Sequence, residues 1–187
     1  MDACSRKRGV TLIEVLVVVA IMGILSGIGV ASLRDAVANS RIKDAGINVT
    51  AFMQRAANEA TRLNERLVVE VQTDNKTLKL NKCNAVNASN GTCTETGDLI
   101  DQMVLESQNQ FVRNGVTCPD MPAEKTSVGT AITLMPKIGV SAIPTSCLAV
   151  RYGSSDRYAA IVKIPTKFAM YYKLSYNGGL NDSWFEF

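Results

Sequence analysis

Residues 12–33 read LIEVLVVVAIMGILSGIGVASL, a run of 22 with one charge, Glu14, and no proline. At about 1.5 Å of rise per residue such a helix is about 33 Å long, and the hydrocarbon core of a bilayer is about 30 Å thick. The run is therefore expected to span a membrane once. Arg6, Lys7 and Arg8 crowd just before it, opposed by Asp2, whereas behind it Arg34 is followed by Asp35 and Lys43 by Asp44. Basic residues stay on the cytoplasmic side, so the amino terminus is expected inside and the remainder exported. A secretory signal also opens with basic residues, but its apolar stretch is usually about 7–15 residues and ends at a small-residue cleavage site. Here the run is longer and leads into a helical pattern.

The rest of the composition argues against catalysis. The chain has 187 residues, 20 basic, 17 acidic and no histidine. That length suits one ordinary domain. Without imidazole, His-dependent serine or cysteine triads, zincin sites and mixed Cys/His zinc sites are excluded. Ser40-Arg41-Ile42-Lys43 matches S-x-x-K, but no S-D-N or K-T-G partner follows it. No G-x-x-x-x-G-K-[ST] loop is present, so the chain is not expected to hold ATP by that route. Asn177-Gly178-Gly179-Leu180-Asn181-Asp182 offers oxygen ligands with a single charge, which reads as a Gly-Gly turn before it reads as a calcium site. The expectation is a non-enzyme with no cofactor and no metal.

Behind the span, Ala38, Ile42, Ala45, Val49, Phe52, Ala56, Ala60 and Leu63 recur at intervals of three and four, the mark of a helix stripe. A helix continuous from Val10 to Leu63 would be about 80 Å long. Gly46 is expected to weaken its middle or mark a bend. Gly23 and Gly27 have the spacing that lets helices approach closely in lipid. After Leu63 the period shortens to two. Residues 67–71 and 77–80 flank a turn at 73–76 and read as a hairpin. Further strands are expected at 103–105, 111–112, 131–134, 147–152, 158–164, 168–176 and 184–187. The expected fold class is α+β, one long helix packed on an antiparallel β domain.

Gly9-Val10-Thr11-Leu12-Ile13-Glu14, preceded by Arg6-Lys7-Arg8 and followed by VLVVVAIMGIL, resembles the class III signal of type IV pilins and pseudopilins. The resemblance implies that a prepilin peptidase cuts between Gly9 and Val10 and that Val10 is then N-methylated. It also makes Glu14 the family's signature acid, pairing with the Val10 amine of a neighbouring subunit to fix axial register. The residue alone allows another reading, in which Glu14 snorkels to the headgroups and eases the helix macrodipole. Val10 stands where the family usually has Phe, and no proline precedes Pro119. Residues 133–139 followed by 147–152 and 158–164 loosely resemble H-type minor pseudopilins, which implies a head of two small sheets.

On this resemblance residues 1–9 are a leader, 10–33 a transmembrane helix, 34–63 an amphipathic stalk and 64–187 an exported head. The implied function is a minor pilin or pseudopilin, a structural subunit of a type II secretion pseudopilus or type IV pilus. Its implied partners are other pilin subunits, prepilin peptidase, an inner-membrane assembly platform and membrane lipid. Cys4 leaves with the leader, and Cys83, Cys93, Cys118 and Cys147 remain in the exported part. Four cysteines permit three pairings, of which Cys83 with Cys93 and Cys118 with Cys147 is the expected one. The first pair brackets a polar stretch, NAVNASNGT, with too little apolar content to order itself. The alternative function is a DNA-binding minor pilin. From residue 138 onward Arg151, Arg157, Lys163, Lys167 and Lys173 outnumber Asp156, Asp182 and Glu186.

Overall fold

Thr11 opens the first element and Asn64 closes it. Helix α1 covers Leu12–Leu63, 52 residues, and continues through Gly46. At its end the Asn64 N–H donates to Thr61 O at 3.2 Å and the Glu65 N–H to Ala60 O at 3.3 Å. Asn64 sits at φ 51°, the left-handed conformation that asparagine tolerates, so the end is a Schellman cap.

The computed structural model describes residues 10–88, 91–106, 108–113, 127–128, 130–136, 146–154, 157–164, 167–173 and 185–186. The chain divides into two units, Met1–Ala38 and Asn39–Phe187. In the first unit every described side chain over 10–37 is exposed.

The second unit joins the rest of α1 to two small, mostly antiparallel sheets. The first has the order β3-β2-β1-β6, built from β1 (Leu67–Val71), β2 (Thr77–Val86), β3 (Cys93–Val104) and β6 (Ala131–Leu134). The second has the order β10-β9-β8-β7-β4, from β4 (Asn109–Val112), β7 (Ser146–Tyr152), β8 (Tyr158–Ile164), β9 (Lys167–Lys173) and β10 (Phe185–Glu186). Strand β5 (Ser127–Val128) pairs parallel with β7. Two sheets on a helix is the arrangement expected of the head.

The helix stripe is the core of this unit. Ile42, Ala45, Val49, Phe52, Met53, Ala56 and Ala60 are buried together with Leu67, Val69, Leu78, Leu134, Leu148, Val150 and Ile161. Fully burying side chains of this size stabilises by about 1.5–3 kcal/mol each before entropy is counted. Gly46 has a packing role: an added Cβ would lie 2.6 Å from Met170 Sδ and 2.9 Å from Ala159 Cβ. It lets α1 approach β8 and β9 closely.

The polar stretch between Cys83 and Cys93 corrects the expectation most clearly. Strand β2 continues to Val86, which pairs with Cys93, and Ala85 pairs with Glu95. The backbone at Asn87 closes the tip, its N–H donating to Thr92 O and its carbonyl accepting from Gly91, both at 2.8 Å. Over the described residues of the stretch, 84–88 and 91–92, pairing with a neighbour supplies the order that apolar content alone does not. Cys83 and Cys93 are joined by a disulfide with their Cα atoms 5.8 Å apart. Cys147 is also disulfide-bonded. Cys118, the residue expected to pair with it, lies outside the described residues, as does the 177–182 turn.

Candidate functional site

The features with the most specific chemistry lie at the start of α1. Thr11 is its N-cap: Thr11 Oγ1 accepts from the Glu14 N–H at 3.3 Å, and Thr11 O accepts from the Glu14 and Val15 N–H groups at 3.1 and 3.3 Å. In return Glu14 Oε2 accepts from the Thr11 N–H at a long 3.5 Å. This is a capping box, T-x-x-E, which satisfies donors that a helix start otherwise leaves open. The T-x-x-E signal stands in the sequence itself, whereas a reading of Glu14 through charge and register leaves out its bond to Thr11.

Val10 is 71% exposed and Gly9 lies outside the described residues. Beyond the cap, Leu12, Ile13, Val19, Met22, Ile24 and Leu25 are each more than 60% exposed. The most apolar 18-residue stretch of the helix is wholly unburied. No neighbour lies within 4 Å of where a Cβ on Gly23, Gly27 or Gly29 would sit, so these positions leave flat surface open to another helix or to lipid.

The expected basic residues are spread along a strand ladder. Arg151 registers with Tyr158, and Tyr158 with Lys173, at one end of the β8–β9 pairing; Lys163 and Lys167 belong to the other end. Arg157 Nε donates to Asn39 Oδ1 at 2.7 Å, which fastens the start of β8 to α1. Arg151 is half-buried, with its Nε unpartnered. The side chains of Lys163, Lys167 and Lys173 lie outside the described part. Among the described residues no group of three or more His, Cys, Asp or Glu is placed to hold a metal ion.

Elsewhere the ion pairs are peripheral. Arg41 meets Glu106, Lys82 Nζ lies 2.9 Å from Glu65, and Arg55 lies 3.9 Å from Asp101. Exposed pairs of this kind contribute about 0–1 kcal/mol each. The Asp74 carboxylate is held down to about 2 because it accepts from the Thr77 hydroxyl and from the Lys76 and Thr77 N–H groups.

Comparison with curated proteins and with solved structures finds no match. Comparison with protein families finds one over the segment just described. Residues 4–30 match the prokaryotic N-terminal methylation motif. The matched stretch contains Gly9, Val10, Thr11 and Glu14 and most of the exposed half of α1. Motif and apolar helix together support membrane anchoring of the first unit, and a motif of this kind implies prepilin peptidase processing and assembly with pilin subunits. The chain thus carries the class III signal typical of type IV pilins and pseudopilins, on an α+β head of two sheets.

Proposed function

We propose that the chain is a minor pilin or pseudopilin, a structural subunit of a type II secretion pseudopilus or type IV pilus without catalytic activity. One observation carries the reading: a class III signal leads directly into a capped helix whose described side chains over 10–37 are all exposed. Apolar surface of that extent is unstable in water, each large side chain forfeiting about 1.5–3 kcal/mol of burial. Lipid covers it while the subunit is stored, and neighbouring helices cover it in the filament.

In this reading prepilin peptidase cuts between Gly9 and Val10 and the new Val10 amine is methylated. Residues 10–33 cross the inner membrane with the amino terminus in the cytoplasm, 34–63 form the stalk, and the head at 64–187 is periplasmic or extracellular. Glu14 meets the Val10 amine of a neighbour as the assembly platform extracts the subunit. Mass spectrometry of protein from cells with an active prepilin peptidase should find a chain beginning at N-methyl-Val10. Gly9→Val should leave the leader attached. A chain retaining Met1 in such cells, or one starting beyond residue 33, would overturn the proposal.

A further inference from the structure

Strand β3 ends the first sheet, and the pairing pattern tells which of its backbone groups face outward. The Leu105 N–H donates to Lys76 O at 2.9 Å. In an antiparallel ladder bonded and non-bonded pairs alternate, so Met103 opposite Leu78 and Asp101 opposite Leu80 also bond to β2. Gln102 and Val104 therefore turn their N–H and C=O groups away from β2, toward the outer edge. Pairing is regular from Asp101 to Val104, and the register shifts begin beyond Leu80. Among the described residues no strand lies on this edge, and most of β3 is exposed. An uncovered edge of this kind is a template for another strand.

Apolar surface and charge together select that strand. Outside α1, the large apolar side chains left exposed among the described residues are Leu99, at 52%, and Val104, at 61%. They stand opposite Asn81 and Thr77, on the face of the sheet turned away from Leu78 and Leu80. Strand β3 also carries Glu95, Asp98 and Asp101 and no basic residue. Arg55 reaches Asp101 only at 3.9 Å, and Lys82, the cation beside Asp98, is held at 2.9 Å by Glu65. Asp101 Oδ1 accepts from the outward Gln102 N–H at 2.8 Å, so the carboxylate shields a donor that an added strand would use. A second copy of β3 paired here would set acid against acid, which is destabilising. A lysine or arginine does the opposite, drawing the carboxylate to itself and releasing the Gln102 N–H.

We propose that the outer edge of β3 takes an extended segment of a partner protein, one that alternates basic and apolar residues, as an added strand. The test titrates the full chain in detergent with short end-blocked peptides. A peptide alternating valine and lysine should bind, and its valine–glutamate counterpart should not. N-methylating alternate amides of the lysine peptide gives two forms, and the one lacking the N–H groups that face β3 should bind at least about tenfold more weakly than the other. Val104→Pro removes an outward N–H that the ladder does not use, a change that an edge strand tolerates, and should abolish binding. Asp101→Asn should weaken binding of the lysine peptide about tenfold, the scale of a lost charge-assisted hydrogen bond. Glu70→Gln makes the same charge change on the inner strand β1 and should leave binding unaltered. Circular dichroism establishes that each variant is folded. No binding of the lysine peptide, equal binding of the lysine and glutamate peptides or of the two N-methylated forms, undiminished binding by Val104→Pro, or an equal loss in Glu70→Gln would each overturn the proposal. Self-association that Val104→Pro abolishes, without peptide binding, would make a second copy the occupant and overturn it too.

Discussion

At Gly46 a glycine that looks like a helix weakness is a contact residue. Alanine there would gain about 1 kcal/mol of helix propensity. Its Cβ would also press on Ala159 Cβ, on a paired strand that cannot swing away, whereas Met170 Sδ is the end of a flexible side chain. Gly46→Ala should therefore be destabilising on balance, because the clash with Ala159 outweighs the propensity gain. Gly46→Val adds bulk with no propensity gain of that size and should destabilise by about 1–3 kcal/mol, as overpacking does. Urea unfolding of the full chain in detergent, followed by circular dichroism, separates the two. Asp74 makes a second residue-scale prediction. Its folded pKa of about 2 lies below the ordinary 3.8, so its contribution is fully present above about pH 4. That contribution is lost as pH falls toward 2. Asp74→Asn should remove the part of the acid sensitivity that lies between pH 4 and pH 2. An unchanged pH profile of the unfolding midpoint would show that the turn does not depend on this carboxylate.

Among the elements, the disulfide-tied hairpin of β2 and β3 shows where local sequence stops being informative. Strand β1 was legible because it is buried almost throughout and reads as a run of Leu and Val. Strand β8 was legible from its apolar run Ala159-Ala160-Ile161-Val162, of which the first three are buried, and the 73–76 turn because Asp74 and Asn75 belong in turns. Strand β3 is an edge strand with most of its residues exposed, so the apolar alternation that marks a strand is absent. Its order comes from β2, through a pairing with several register shifts. Gly97 permits part of that pairing, since a Cβ there would strike the Asn84 side chain at 2.6 Å. The Gly46 contact was hidden in the same way, because Ala159 and Met170 are distant in sequence. Replacing Cys83 and Cys93 together by Ser should lower stability by about 2–3 kcal/mol, the loop-entropy scale for a ring this short. Hydrogen exchange should quicken first at 85–93, with β1 still protected. Simultaneous loss of protection in β1 would mean that the bridge supports the whole sheet.

For the molecule as a whole, the question is what Glu14 contributes, since it has two capacities that separate experimentally. As a cap it accepts from the Thr11 N–H, and glutamine can do the same. As a charge it is the partner proposed for the Val10 amine of a neighbour, and glutamine cannot replace it. An ionised carboxylate costs about 2.5–3.5 kcal/mol near a bilayer centre and less toward the interface, so neither Glu14→Gln nor Glu14→Ala should impair insertion. The amounts of membrane-extractable protein should equal or exceed that of the unaltered chain. Filament incorporation is where the capacities divide. If the charge fixes register, both variants should be inserted, processed at Gly9 and excluded from sheared filaments. If the cap alone matters, Glu14→Gln should assemble normally and only Glu14→Ala should fail. Thr11→Val tests the same point from the other side, because it removes the hydroxyl that accepts from the Glu14 N–H and leaves the carboxylate in place. On the charge reading it assembles. We expect exclusion of both Glu14 variants and incorporation of Thr11→Val. Normal incorporation of Glu14→Gln would refute the proposed amine pairing without touching the proposed anchoring and processing.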